Sequence, residues 1–162
     1  MPAQFLLNVS IALLWMLFQD EDQLRFITFV EGYIVGIAIL FLMHRFFGER
    51  FYLSRFFALL KLILLFNLEL LSSSYHVLKQ ILSPKIRIKP GIFKYETDLV
   101  GEWEVPLLAL LLTLTPGSVV MEVVPEGNAF YIHAMDVEQS KDMLLRSLAK
   151  FEKAIKEVTR ND

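Results

Sequence analysis

Glu31 stands one turn inside the apolar run FITFVEGYIVGIAILFLM and is followed by Gly32 and Gly36. An ionisable carboxylate at membrane depth is the residue type that a proton relay needs. A carboxylate near a segment's end can instead reach the headgroups, and glycines four apart let another helix approach closely. Further along, Lys61 and Glu69 lie two turns apart on one helical stripe, with Leu65 between them. Such charges are placed to meet those of a neighbouring subunit or to face a watery crevice. A complete ion path needs several membrane-embedded charges, more than this chain supplies by itself.

Other chemistry has less to stand on. His133 has no second histidine or acid at a ligand spacing, and His76 and His44 complete the histidines. The chain contains no cysteine, which removes disulfides, thiolate metal sites and cysteine nucleophiles. There is no G-x-S-x-G, no phosphate-cradling glycine loop and no clustered Asp/Glu/His set. The sequence therefore predicts no catalytic residue, cofactor or metal site, and no enzyme.

The elements that would hold these residues fall into two regions. The 162 residues are 55% hydrophobic with net charge −2, and mean hydropathy is +0.49. The apolar excess lies before Ser83, where six acidic and six basic residues balance; residues 84–162 carry twelve acidic and ten basic ones. With no strongly basic face, nucleic acid is not an expected partner. The start, MPAQFLLNVS, lacks the basic region of a signal peptide, so the first segment is expected to stay attached.

Phe5–Phe18 spans 14 residues, about 21 Å as helix against a hydrocarbon core of about 30 Å. Phe26–Met43, at 18 residues, is the best single span. The short Gln19-Asp20-Glu21-Asp22-Gln23 link makes the two a helical hairpin. Phe56–Leu71 continues its helical pattern through Leu82, with Lys61, Glu69, Ser72, His76 and Lys79 near one stripe. The reading is an α+β chain: a membrane helical region over 1–83, with two or three membrane helices near 4–19, 24–44 and 52–82, then a small α+β domain over 84–162.

Arg45, Arg50 and Arg55 follow the second helix, while Lys79, Lys85, Arg87, Lys89 and Lys94 follow the third. A true span between the clusters would put them on opposite sides, so the number of crossings stays open. The larger cluster favours a cytoplasmic C-terminal domain.

After Ser83 the pattern becomes that of a β-α-β-β-α unit. Lys85-Ile86-Arg87-Ile88-Lys89 alternates like a strand with one basic face, either a solvated or lipid-skimming edge or a reader of anionic lipid or nucleotide. Pro90-Gly91 turns the chain into an extended Ile92–Asp98. Glu102 and Glu104 precede a Val105–Leu114 helix, where negative charge is favoured. Strands follow at Val119–Val124 and Ala129–Ala134, joined by Pro125-Glu126-Gly127-Asn128. Asp136 with Gln139 resembles a capping box, and Leu144, Leu148, Phe151, Ile155 and Val158 mark one face of a final helix.

Between helix and strand, LLALLLTLTPGSVVMEV (107–123) breaks at Thr115-Pro116-Gly117-Ser118. Ten residues of helix give about 15 Å, half of what a span needs. Pro116 disfavours helical geometry at Thr115, and Gly117 can take a left-handed conformation that reverses the chain. The hydroxyls of Thr113 and Thr115 are near enough to pair with groups freed at the helix end. The stretch predicts a rigid helix-to-strand corner.

The ordered stretches LSPKIRIKPGIF (82–93), LLTLTPGSVVMEV (111–123), YIHAMDV (131–137) and FEKAIKEVT (151–159) resemble the MrpE/MnhE family, a small component of the multisubunit Mrp/Mnh cation/proton antiporter. The likeness covers essentially the whole chain; Ser118 replaces a threonine often seen there. It implies a multi-pass component of a bacterial or archaeal plasma-membrane complex that exchanges Na⁺ for H⁺, with the other antiporter subunits and the lipid bilayer as partners. It implies an accessory role in assembly or coupling, with the ion path in larger subunits, and offers no catalytic residues to carry over. Thr113, Thr115, Pro116, Gly117, Glu31, Gly32, Gly36, Lys61 and Glu69 are the assembly or coupling candidates. The alternative is a membrane-tethered regulatory or ligand-sensing module.

Overall fold

A computed structural model describes residues 2–19, 25–47, 51–85, 88–124 and 128–160. Its elements run α1 (Pro2–Phe18), α2 (Phe26–Phe47), α3 (Tyr52–Ile81), β1 (Gly91–Glu96), α4 (Glu104–Leu114), β2 (Ser118–Val124), β3 (Ala129–Ala134) and α5 (Val137–Thr159). This is an α+β chain, as the pattern predicts. The links at 20–23 and 125–127, together with Ile86 and Arg87, lie outside the described residues. Two compact units divide inside α3, the first ending at Phe57 and the second running Ala58–Arg160. The second unit takes in most of α3, whose Leu62, Leu65 and Phe66 pack with the α+β core.

In the first unit α1 and α2 are antiparallel, since Gly32 faces Trp15 and Ala12 while Gly36 faces Asn8 and Ile11. Thr28, Gly32, Gly36 and Leu40, four residues apart, line the contact, and all are buried. A Cβ on Gly36 would lie 1.9 Å from the Asn8 Oδ1 atom, so only hydrogen lets the helices come this close. Away from this seam, Leu6, Leu17, Phe18, Phe26, Ile27 and Leu42 are exposed. Apolar surface of this extent is unfavourable in water and favourable in hydrocarbon. Two helices, Phe26–Met43 within α2 and α3, are long and apolar enough to cross a membrane.

The second unit is a three-stranded antiparallel sheet in the order β1-β3-β2. The β2–β3 hairpin places β3 at the centre, and α4 carries the chain from one edge to the other. Phe93 pairs with Ile132 and Val120 with the same residue from the other side, setting one face of the sheet toward the helices. That face packs with Leu108 and Leu112 of α4, Leu148, Phe151 and Ile155 of α5, and Leu62 of α3 into one core. The predicted apolar face of α5 is the one that packs: Leu144, Leu148, Phe151 and Ile155 are buried and Val158 rests against them. Asp136 caps α5, its Oδ1 accepting from the Gln139 amide at 3.3 Å.

One element departs from the pattern. Lys85 sits in a bend and Ile88 and Lys89 have no regular structure, so the described part of the alternating basic stretch is no strand. Lys89 is tied instead to the start of α5: its carbonyl accepts from the Val137 amide at 2.9 Å, and its ammonium meets Glu138 at 2.6 Å. Pro90 next to it has no amide to give a sheet. The first strand begins at Gly91.

Candidate functional site

The corner at Thr115-Pro116-Gly117-Ser118 is built as a cap. Thr115 takes an extended backbone (φ −84, ψ 130) directly after α4. Its amide and its Oγ1 both donate to the Leu112 carbonyl, at 3.1 and 2.7 Å, satisfying a helix-end acceptor that would otherwise lack a partner. The side chain is 5% exposed. Gly117 sits at φ +95, where a Cβ is strained, and one there would also come within 3.2 Å of Val77 on α3. Its carbonyl accepts from the Met135 amide at 2.9 Å, joining the corner to the end of β3. Pro116 is half-buried between them, while Thr113 is exposed. The corner thus ties the end of α4 to the end of β3 beside Val77 of α3, and of its two threonines Thr115 is the one buried there.

Lys61 and Glu69 meet α5 of this same chain. The Lys61 ammonium donates to both carboxylate oxygens of Glu157, at 3.0 and 2.7 Å. Glu69 accepts from Lys150 at 2.7 Å and from the Ser147 hydroxyl at 2.6 Å. The stripe expected to await a neighbouring subunit or a watery crevice is therefore satisfied internally at these two positions. Glu31 is exposed on α2. The helix that Gly32 and Gly36 admit is α1, also of this chain.

Two polar clusters are closed by partners that the sequence pattern did not show. In the first unit, Asn8, with no exposed surface, donates to the Tyr52 hydroxyl at 2.8 Å, and the Tyr33 and Tyr52 hydroxyls lie 3.2 Å apart. The Tyr52 amide, the first of α3, donates to Gln4 Oε1 at 2.9 Å and so fills an orphan helix-start donor. In the second, Glu104 at the start of α4 is 5% exposed. It accepts from Arg160 Nε and Nη2 at 3.0 and 2.9 Å, from Thr159 at 2.6 Å and from the Gly101 amide at 3.2 Å. The Arg160 guanidinium, against the cost of burial, holds the Glu104 carboxyl down to about 2. An Asn within an apolar run and a Glu opening a helix were visible signals; their partners, 44 and 56 positions away, were not.

Among the described residues no group of His, Asp and Glu is arranged to hold a metal ion. His133 is half-buried and faces away from the core beside Tyr131.

Apolar helices suited to a bilayer, joined in one chain to a charged α+β unit, define a membrane-associated protein. A family model described as MNHE, Na⁺/H⁺ ion antiporter subunit, matches residues 8–158, and the chain belongs to that family. The corresponding Na⁺/H⁺ antiporter subunit of Bacillus subtilis is 42% identical over 160 residues, 99% of this chain and 100% of that one. In fold, the chain is similar to one in the membrane-bound sulfane sulfur reductase, an archaeal respiratory membrane complex. The TM-score is 0.55 at 21% identity, covering 96% of this chain and 98% of that one. A chain of the Mrp complex from a Dietzia species is 27% identical, with a TM-score of 0.45 over 60% of this chain and 92% of that one.

Proposed function

We propose that this antiporter subunit serves assembly and coupling of its complex and does not itself carry the ions. The observation that carries this reading is the fate of the α3 charges. Lys61 and Glu69, which an ion path would need free to load and release, are ion-paired to Glu157 and Lys150. Apart from Glu31, what α1 and α2 leave open is mainly apolar surface, fit for lipid and for other helices rather than for water or Na⁺. The partners are the other subunits of an Mrp-type complex in a bacterial or archaeal plasma membrane. On this reading the chain crosses the bilayer more than once, and the basic residues after α3 favour the cytoplasmic side for the α+β unit.

The experiment is Na⁺-resistance complementation in an antiporter-deficient bacterium by the operon with and without this gene, alongside pull-down of the complex in mild detergent. Loss of both resistance and complex yield is expected without the gene. Unimpaired resistance would refute an essential role, and a tagged chain recovered as a lone monomer would refute assembly.

A further inference from the structure

A concavity of about 390 Å³ lies within the second unit, between the last turns of α3 and the first turns of α5. His76, Lys79 and Gln80 line it from α3, Ser83 and Lys85 from the segment that follows, and Gln139, Ser140 and Met143 complete it from α5. No lining residue is acidic. The carboxylate behind it, Asp136, is buried and already engaged by the Gln139 amide and by Gln80 Nε2 at 3.4 Å.

The two lysines here, like Lys141 and Lys153 of α5, stand outside the unit's ion pairs. Lys61, Lys89, Lys94, Lys150 and Lys156 each face a carboxylate. Among the described residues neither Lys79 nor Lys85 has one. Two ammonium groups, an imidazole and several neutral hydrogen-bonding side chains around an open concavity suit a phosphate-type anion.

The surroundings specify its source. Leu64, Leu68, Leu71, Tyr75 and Leu78 follow one another at alternating steps of four and three along α3, and all are exposed. Tyr75 and Lys79 are i,i+4 neighbours, so this apolar stripe runs directly up to the basic concavity. An anion carrying acyl chains satisfies both surfaces at once. We propose that His76, Lys79 and Lys85 form a headgroup site for an anionic phospholipid whose chains lie along the exposed stripe of α3. This rests on the reading that α3 is bilayer-embedded, with its end at the membrane surface.

The test uses the whole complex in native membranes, with photoreactive phosphatidylglycerol and phosphatidylcholine probes and mass-spectrometric location of adducts on this chain. The phosphatidylglycerol probe is expected to label residues 71–85, and Lys79→Gln with Lys85→Gln to reduce labelling by about tenfold or more, given roughly 1 kcal/mol for each lysine near an anionic surface. Lys79→Arg with Lys85→Arg should retain it, which separates a lost charge from a lost fold. Equal labelling by the two probes, or labelling unchanged in the double Gln variant, would overturn the site. Competition by inorganic phosphate as effective as by phosphatidylglycerol vesicles would overturn the lipid as its occupant. Absence of adducts on α3 with either probe would overturn the membrane placement of α3, and this proposal with it.

Discussion

The two units solve opposite problems with the same few polar groups. In the helical unit polar side chains are few, and Asn8, Tyr33 and Tyr52 turn inward and bond to one another while leucines and phenylalanines face out. In the α+β unit, apart from the leucines exposed along α3, the sheet-facing leucines and phenylalanines of α4 and α5 are inside, and charge sits at the surface or in pairs such as Glu104–Arg160. The contrast fits the proposed placement, with hydrocarbon around the helical unit and the exposed stripe of α3 and water around the sheet, α4 and α5. It also locates risk. Breaking a polar contact in the first unit strands a group with no water to replace the partner, and most pairs in the second can simply rehydrate.

The sharpest exception in the second unit is Glu104, buried and held by Arg160, so it is expected to behave as groups in the first unit do. Glu104→Gln is expected to cost about 2–3 kcal/mol, because it leaves a partly buried guanidinium without its counter-charge. The same pair predicts a pH dependence. Its folded pKa of about 2 is below the ordinary 4.5, so its contribution is present above that ordinary value and is lost as pH falls toward 2. Thermal unfolding of the purified full-length chain in detergent, scanned from pH 6 to pH 3 (on the order of 2 kcal/mol at stake over that range), should show an acid loss in wild type that is blunted in Glu104→Gln. Parallel pH profiles would place the acid sensitivity elsewhere.

In the helical unit, Gly36→Ala drives a methyl into Asn8 and is expected to cost about 2 kcal/mol. Asn8→Ala should relieve part of that, giving a double variant less damaged than the sum of the singles. Simple additivity in the same unfolding assay would mean the seam is looser than the 1.9 Å approach requires. At the corner, Gly117→Ala is expected to cost about 1–2 kcal/mol through its positive φ, with reduced complex yield as the cellular readout. The smallest effect should come from the exposed Lys61–Glu157 pair, where Lys61→Gln is expected to cost under about 0.5 kcal/mol. Complex yield should be unchanged in that variant.

Local chemistry was legible in the sequence. Asp136 with Gln139 marked the start of α5, the spacing of Leu144, Leu148, Phe151 and Ile155 marked its buried face, and Pro116-Gly117 marked the corner. Each depends on residues within a few turns of one another. What closes over long separations was not legible. The central position of β3, the pairing of Lys61 with a residue 96 positions away and the capture of Tyr52 by Asn8 depend on which surfaces the fold brings together. The alternating Lys85–Lys89 stretch shows the reverse failure. Its period was that of a strand, yet Lys89 was taken by Glu138 and Val137, and its described residues join no sheet. Lys61 and Glu69 looked like an invitation to another subunit because α5, their actual partner, lies far along the chain.

The central claim is that the charged residues of this chain's helices do not conduct. Na⁺/H⁺ exchange can be measured in everted membrane vesicles carrying the whole complex, with Glu31→Gln, Lys61→Gln and Glu69→Gln combined and rates normalised to the amount of assembled complex. An accessory role predicts exchange at the wild-type rate per complex. Loss of exchange with the complex present at its normal level would put these residues in the ion path and contradict the account.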